Sequence, residues 1–232
     1  MMRLDKFLSQ YTDYSRSQIQ QLIKAARVTV NGEIIRKSDS KLSGNEQVML
    51  DDQHIQAFIQ RYFMLHKPSG YVCANSDSDH PVVIDLLDVP RKNDLQIAGR
   101  LDIDTTGLVL ITDDGQWNHR ITAPRQECAK VYLVTTADPI SNDAIQRFAE
   151  GVQLHGEKNL TRPAHIELIG SHSARLRIHE GKYHQVKRMF AALGNRVVKL
   201  HRESIGGILL DPQLAPGEYR PLATHEINEA QQ

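Results

Sequence analysis

Leu4, Phe7, Leu8 and Tyr11 recur at i, i+3, i+4 and i+7, which predicts a short amphipathic helix at the start of the chain. Ser15 and Ser17 follow as candidate caps, Ser17 with Gln20 fitting a capping box, and Ile19, Leu22, Ile23 and Ala26 repeat the helical stripe. Residues 28–30 alternate into Asn31-Gly32, a strong two-residue hairpin signal; 33–35 leave the turn and 46–50 form a further strand. The polar, weakly patterned stretch 51–60 predicts a linker. A small module over 1–54, a linker over 55–60 and a larger domain over 61–232 are therefore expected.

In the larger domain, strands are predicted at 62–66, 108–111, 131–136, 164–169, 174–179 and 197–201. One helix begins at a Ser141 cap, carries Ile145 and Phe148 and stops at Gly151; another runs over 183–193, with Val186, Met189, Phe190 and Leu193 inward, and stops at Gly194. The connection 73–96 is longer than connections usually are, which predicts a functional loop. The fold class expected is α+β.

Composition narrows the function classes. With 40% hydrophobic and 24% charged residues the 232-residue chain is ordinary for a globular protein, and no apolar run approaches the roughly 18 residues that span a bilayer. An acidic residue at position 5 and the lack of an apolar leader argue against a secretory signal, so a cytoplasmic location is expected. Cys73 and Cys128 stand alone, without the spacing of a zinc site or a disulfide scaffold. His179 and His184 are five apart rather than four, and no metal site is expected.

Charge needs a closer reading, because 28 basic residues cancel 28 acidic ones only in the sum. Residues 1–45 carry eight basic residues against four acidic, and 171–202 carry eight against Glu180 alone. Residues 75–115 hold the counterweight, nine Asp against Arg91, Lys92 and Arg100. Two basic segments far apart in sequence suit a phosphate-binding surface, although solvated helix and strand faces would look the same.

Two segments carry the candidate chemistry. Gly99-Arg100-Leu101-Asp102-Ile103-Asp104-Thr105-Thr106-Gly107 gathers two carboxylates and an arginine before an apolar strand. Asp102, Asp104, Thr106 and Gly107 match the first positions of a calcium loop, but Asp113 replaces the closing bidentate Glu and a strand follows where the loop should continue. A structural turn is the competing reading. In Glu180-Gly-Lys182-Tyr-His184-Gln-Val-Lys187-Arg188-Met-Phe190, His184, Lys187 and Arg188 fall at i, i+3 and i+4 on a polar face able to hold an anion or brace a carboxylate.

Taken in order with Lys130-Val-Tyr132-Leu-Val, these motifs resemble those of the rRNA pseudouridine synthases that carry an N-terminal S4 domain (the RsuA/RluB/E/F family). Arg3-Leu-Asp-Lys-Phe-Leu, Ser15-Arg-Ser and Val28-Thr-Val-Asn-Gly resemble the S4 RNA-binding domain itself, and the runs 113–117, 183–192 and 214–222 resemble the small-subunit branch. The resemblance implies a mainly antiparallel-sheet catalytic domain after the S4-like one. It also implies isomerisation of a uridine in 16S rRNA, at position 516 of that RNA, without cofactor or metal. Asp102, Tyr132 and Lys187 are the implied catalytic residues, Lys187 standing where the family more often has arginine and Arg188 being its neighbouring candidate. An aspartate is ionised near neutrality, so it could attack C1′ or the pyrimidine ring, or remove a sugar proton. RNA contacts are expected from Arg100, Lys182, His184 and Arg188, and in the module from Arg3, Lys6, Arg16, Lys24 and Arg27.

The expected partner is 16S rRNA in a partly assembled small subunit, met by a monomer with no membrane attachment, because a base must be turned out of its stack to be modified. Three alternatives compete: a 23S rRNA target, a non-catalytic S4-type assembly factor, and a carboxylate hydrolase using Asp102 and Asp104. Neighbouring positions on a strand-like turn would point apart, which disfavours the hydrolase.

Overall fold

The computed structural model describes residues 2–55 and 60–229 and divides into two compact units, Met1–Ile59 and Gln60–Gln232. The first contains β1 (Met2–Arg3), α1 (Leu4–Tyr11), α2 (Arg16–Lys24), β2 (Val28–Val30), β3 (Glu33–Ile34), β4 (Lys41–Leu42), β5 (Val48–Leu50) and β6 (Gln53–Ile55). The helical stripes read from sequence form its core, with Leu4, Leu8, Ile19, Ile23 and Val28 fully buried. Asn31 and Gly32 both take positive φ, as a tight hairpin between twisted strands requires.

Two expectations change here. The capping box of α2 is Ser15 with Gln18, not Ser17 with Gln20: extended backbone at Ser15 puts its amide within 2.8 Å of Gln18 Oε1. Gln20 instead donates to the buried Asp5 carboxylate. Part of the predicted linker is strand, since Gln53–Ile55 pairs antiparallel with Val48–Leu50 through a turn in which Asp51 and Asp52 have positive φ. The polar sequence of this strand hid it. Residues 56–59 of that linker lie outside the described residues.

The second unit contains β7 (Tyr62–Lys67), β8 (Gln96–Ala98), β9 (Thr106–Thr112), α3 (Gly115–Thr122), β10 (Lys130–Thr136), α4 (Asp143–Glu150), β11 (His165–Gly170), β12 (Ser173–Ile178), α5 (Gln185–Ala191), β13 (Val197–Ile205), β14 (Ile208–Leu209), β15 (Tyr219–Pro221) and α6 (Thr224–Glu229). One nine-stranded sheet runs β11-β12-β10-β13-β9-β7-β15, with β14 added to β13 and β8 to β9. All its pairings are antiparallel except β13 with β9, so the expected α+β class with a mainly antiparallel sheet holds.

Residues 108–111 of β9 are apolar because both faces are covered: Leu108 and Leu110 enter one core with Trp117 and Ile205, while Val109 and Ile111 enter the other with Phe63 and Tyr132. β12 is covered on one face only, and Arg175 and Arg177 alternate with buried Ala174, Leu176 and Ile178. Where β9 and β13 run parallel, Gly107 has φ +106° and a Cβ there would lie 2.3 Å from the Arg202 carbonyl oxygen, so only glycine allows the approach.

Two local expectations are corrected, and one helix is new. Asn142, not Ser141, precedes α4, and Ile145 is exposed while Phe148 packs edge-on against Phe190 at 5.2 Å. α5 starts at Gln185, because His184 adopts a left-handed backbone with φ 46° and turns the chain at the helix entrance. Part of the connection 73–96 packs, with Val82, Val83, Ile84, Leu87 and Leu95 buried in the main core, while 75–81 is exposed. α3, not foreseen, is capped by Asp114, whose carboxylate accepts from the amides of Gln116 and Trp117.

Candidate active site

The segment between β8 and β9 presents its carbonyls to two buried cations and its charged side chains outward. Arg202, 1% exposed, donates to the carbonyls of Gly99 at 2.6 Å and Leu108 at 2.8 Å, and lies 3.5 Å from that of Arg100. Lys67, fully buried, donates to the carbonyls of Pro68, Ile103 and Thr105 at 3.1, 3.1 and 2.7 Å. Burial pulls the Lys67 ammonium below its ordinary pKa. The turn closes through Thr105 N–H to the Asp102 carbonyl at 3.1 Å, and the Leu101 amide donates to Cys73 Sγ at 3.3 Å.

Asp102 is thereby held at the surface of the segment. Its Oδ1 lies 3.4 Å from His184 Nε2 and its Oδ2 lies 3.3 Å from Lys187 Nζ. The same ammonium reaches Asp104 at 2.6 Å. Burial alone would lower the Lys187 pKa, but the two carboxylates outweigh it and raise the group above its ordinary value. The reciprocal effect holds the Asp104 carboxyl low against its own partial burial. The two aspartates do not point apart as expected. They sit on a turn rather than a strand, and both reach one cation. A carboxyl held low is a poor general acid, which counts against the paired-carboxylate hydrolase.

The polar face expected for His184, Lys187 and Arg188 is divided. His184 and Lys187 approach Asp102, whereas Arg188 donates to Glu157 at 3.2 Å, the His155 carbonyl at 2.6 Å and the Tyr183 carbonyl at 3.0 Å. Lys182 also pairs with Glu157, at 3.1 Å. Lys187 and Arg188 are consecutive residues of α5, about 100° apart around the helix axis, so they reach different partners.

A cavity of about 640 Å³ opens beside Asp102, in the range of small-ligand pockets, and its lining includes Arg100, Asp102, Lys130, Tyr132, Lys182 and His184. Tyr132 and Lys130 share the inward face of β10. The Tyr132 hydroxyl lies 3.4 Å from Arg202 Nη1, and the guanidinium carbon is 5.9 Å from the ring centroid. Lys130 donates to the Cys128 carbonyl at 2.8 Å, and burial lowers its pKa. Sequence reading missed Lys67, Lys130 and Arg202 as parts of this site. Their one signal is a basic residue that opens (Lys130), closes (Lys67) or lies within (Arg202) a strand.

The role of Tyr132 that the resemblance implies, as a surface for an extruded uracil, carries a quantitative expectation. Tyr132→Ala should slow single-turnover conversion about 5- to 160-fold, from the ~1–3 kcal/mol typical of base–aromatic stacking, with RNA affinity changed only a few-fold. A rate equal to wild type would make Tyr132 a core residue only.

In the first unit, Arg3 and Arg16 both hold Asp5, at 2.9 and 3.1 Å, and remain about half exposed. Burial opposes the charge on Asp5, but bonds from Arg3, Gln20 and Arg16 prevail and hold its pKa at about 2. Arg27 pairs with Asp51. Lys6 and Lys24 are exposed, with no ion pair among the described residues. No group of three or more His, Cys, Asp or Glu able to hold a metal occurs among the described residues, and no helix among them is long and apolar enough to cross a membrane.

A carboxylate between two basic side chains, beside a cavity with an aromatic wall, lies in a chain that also carries a separate small unit, and comparison with known proteins gives the family of both parts. The RNA pseudouridylate synthase profile matches residues 61–192 and the S4 domain profile matches residues 2–48. The chain belongs to the RNA pseudouridylate synthase family, as an isomerase with an N-terminal S4 domain. Among its relatives, the ribosomal small subunit pseudouridine synthase A of Escherichia coli (strain K12) is 58% identical over 227 residues, covering 97% of this chain and 98% of that protein. The protein of the same name from Yersinia pestis is 57% identical, covering 97% of each chain, and that from Haemophilus influenzae is 48% identical, covering 98% and 99%. A crystal structure of a pseudouridylate synthase superposes with a TM-score of 0.73 at 47% identity, covering 99% of this chain and all of that one.

Proposed function

We propose that this synthase converts one uridine of 16S rRNA to pseudouridine, with Asp102 as the reacting carboxylate. The observation that carries the reading is Asp102 at the cavity, with His184 Nε2 and Lys187 Nζ within 3.4 Å of its oxygens. The relatives named for the small ribosomal subunit, at 57–58% identity over 97% of the chain, support the RNA assignment. The reaction breaks the bond from C1′ to N1, turns the retained uracil, joins C5 to C1′ and removes the C5 proton. Lys187 and His184 orient the carboxylate, Tyr132 supports the detached ring, and Arg100 holds the extruded nucleotide or its phosphate. The paired cations Lys182 and Arg188 stabilise the 180–188 segment and present it to the backbone of the RNA.

The proposed enzyme acts as a monomer in the cytoplasm, where small subunits are assembled. An RNA helix hides its base edges, and a finished subunit would resist extrusion of the base; a partly assembled particle is the proposed substrate. The test is tritium release from C5-labelled uridine, compared on naked 16S rRNA, naked 23S rRNA, small-subunit particles with early-binding proteins and complete small subunits at one salt concentration. Release without free uracil, fastest on the incomplete particle, is the expected result. Free uracil would mean a hydrolase, no release a binding factor, conversion of 23S rRNA alone a different target, and fastest conversion of complete subunits a late substrate.

The S4 unit should contribute affinity rather than chemistry. Deleting residues 1–60 is expected to leave a folded second unit, because its cores are formed by its own residues. RNA binding should weaken, and the slope of log affinity against log salt should fall by about 0.7–0.9 for each phosphate that the deletion leaves without a protein cation. Titration at four salt concentrations checks this; an unchanged slope would show that the module's cations do not touch RNA.

A further inference from the structure

Tyr183 is an aromatic side chain that the reaction, as described above, leaves without a task. It is 74% exposed, more than any other large apolar side chain among the described residues. Its ring stacks on the His184 imidazole with centroids 3.8 Å apart and planes 19° apart. At that exposure the opposite face of the ring is open to solvent. Tyr183 also lines the cavity that holds Asp102, so the open face lies at its rim.

The segment bearing it is built as a fixed mount. The Tyr183 carbonyl accepts from Arg188 Nη1 at 3.0 Å, and the Lys182 amide donates to Gln185 Oε1 at 2.8 Å. Gln185 Nε2 donates in turn to Glu180 Oε1 at 2.8 Å. His184 takes its left-handed backbone between these anchors, with one edge of its ring on Asp102 and one face under Tyr183. An isolated surface tyrosine needs none of this. A rigid, one-sided aromatic plate beside a pocket that accepts an extruded base is suited to the partner which that base leaves behind. When a nucleotide is turned out of a stack, its neighbour is left with one bare face, and a π surface at the pocket mouth covers it without regard to base identity.

We propose that Tyr183 is a nucleobase subsite: it stacks on the base adjacent to the target uridine while that uridine occupies the cavity, forming a base–Tyr183–His184 sandwich. The inference rests on the proposed extrusion of uridine toward Asp102 and adds the contact that holds the flanking RNA. Because the plate rests on His184, its occupation also restrains the imidazole against the carboxylate.

The test uses the full chain and an rRNA fragment spanning the uridine that the wild-type enzyme converts, with 2-aminopurine placed immediately 5′ or immediately 3′ of it. Bound to Asp102→Asn, the probe at one of the two positions should stay quenched. In Asp102→Asn with Tyr183→Ala, its fluorescence should rise several-fold, and Tyr183→Phe, which keeps the ring, should restore the quenching. In the chain with Asp102 intact, Tyr183→Ala should slow single-turnover conversion about 10-fold while the thermal midpoint is unchanged, as expected for an exposed side chain. Equal fluorescence at both positions with tyrosine and alanine would overturn the subsite. Persistent turnover by Asp102→Asn would instead remove the assigned role of Asp102, and the equilibrium quenching would still decide Tyr183.

Discussion

Asp102→Asn is expected to lower single-turnover isomerisation by about 10⁴-fold or more, the scale seen when a reacting group is removed from a site that otherwise keeps its binding contacts. The substitution preserves shape and removes only the charge that Lys187 and His184 face. RNA affinity should stay within a few-fold, because phosphate contacts made elsewhere dominate it. Asp104→Asn is the informative companion: Lys187 loses its 2.6 Å partner but keeps Asp102, so turnover should fall by about 10-fold or less. Tritium release and filter binding on the same RNA measure both quantities. Substantial isomerisation by Asp102→Asn, or an equal loss in the two variants, would contradict the assignment of Asp102 as the reacting carboxylate.

Arg202→Met should be the most destabilising single change at the site. The side chain is 1% exposed, and the carbonyls of Gly99 and Leu108 accept from it at 2.6 and 2.8 Å. Methionine fills much of the volume but leaves those acceptors without a donor. At about 1–3 kcal/mol for each of the two unsatisfied buried groups, the loss is about 2–6 kcal/mol, or roughly 4–24 °C in thermal midpoint for a domain of this size. Arg202→Lys keeps the charge without the planar fork and should fall between the two. Kinetics measured well below both midpoints should still show slower turnover, because the segment carrying Asp102 is no longer fixed. A midpoint within a degree of wild type would mean that the carbonyls find other donors.

Strand positions were legible because the signals are local: β7 and β9 are apolar on both faces, β12 alternates, and Asn31-Gly32 sets its own hairpin. α3 was not, since Asp113, Asp114, Gly115 and Gln116 read as a polar turn until Asp114 is seen capping the amides of Gln116 and Trp117. The start of α5 was misplaced because periodicity does not register a single left-handed residue such as His184. Family resemblance supplied the site residues, but not the pairing of both Asp102 and Asp104 with Lys187. Arg202 was counted only as one charge of a basic segment. Its partners are backbone carbonyls about a hundred positions earlier in the chain, and no side-chain pattern marks a carbonyl.

The parallel pairing of β9 with β13 orders events during synthesis. Asp102 leaves the ribosome one hundred residues ahead of Arg202 (202 − 102 = 100), which at about 5–20 residues per second is about 5–20 s. Throughout that interval the segment destined to carry the carboxylate lacks both its guanidinium clamp and the strand beside it. The S4 unit closes its core within the first fifty-five residues and has no such wait. If the S4 unit grips RNA as proposed, a nascent chain passes through a stage equipped to hold RNA but not to alter it, and acquires its chemistry only when a strand from near its far end slides in parallel to one already made.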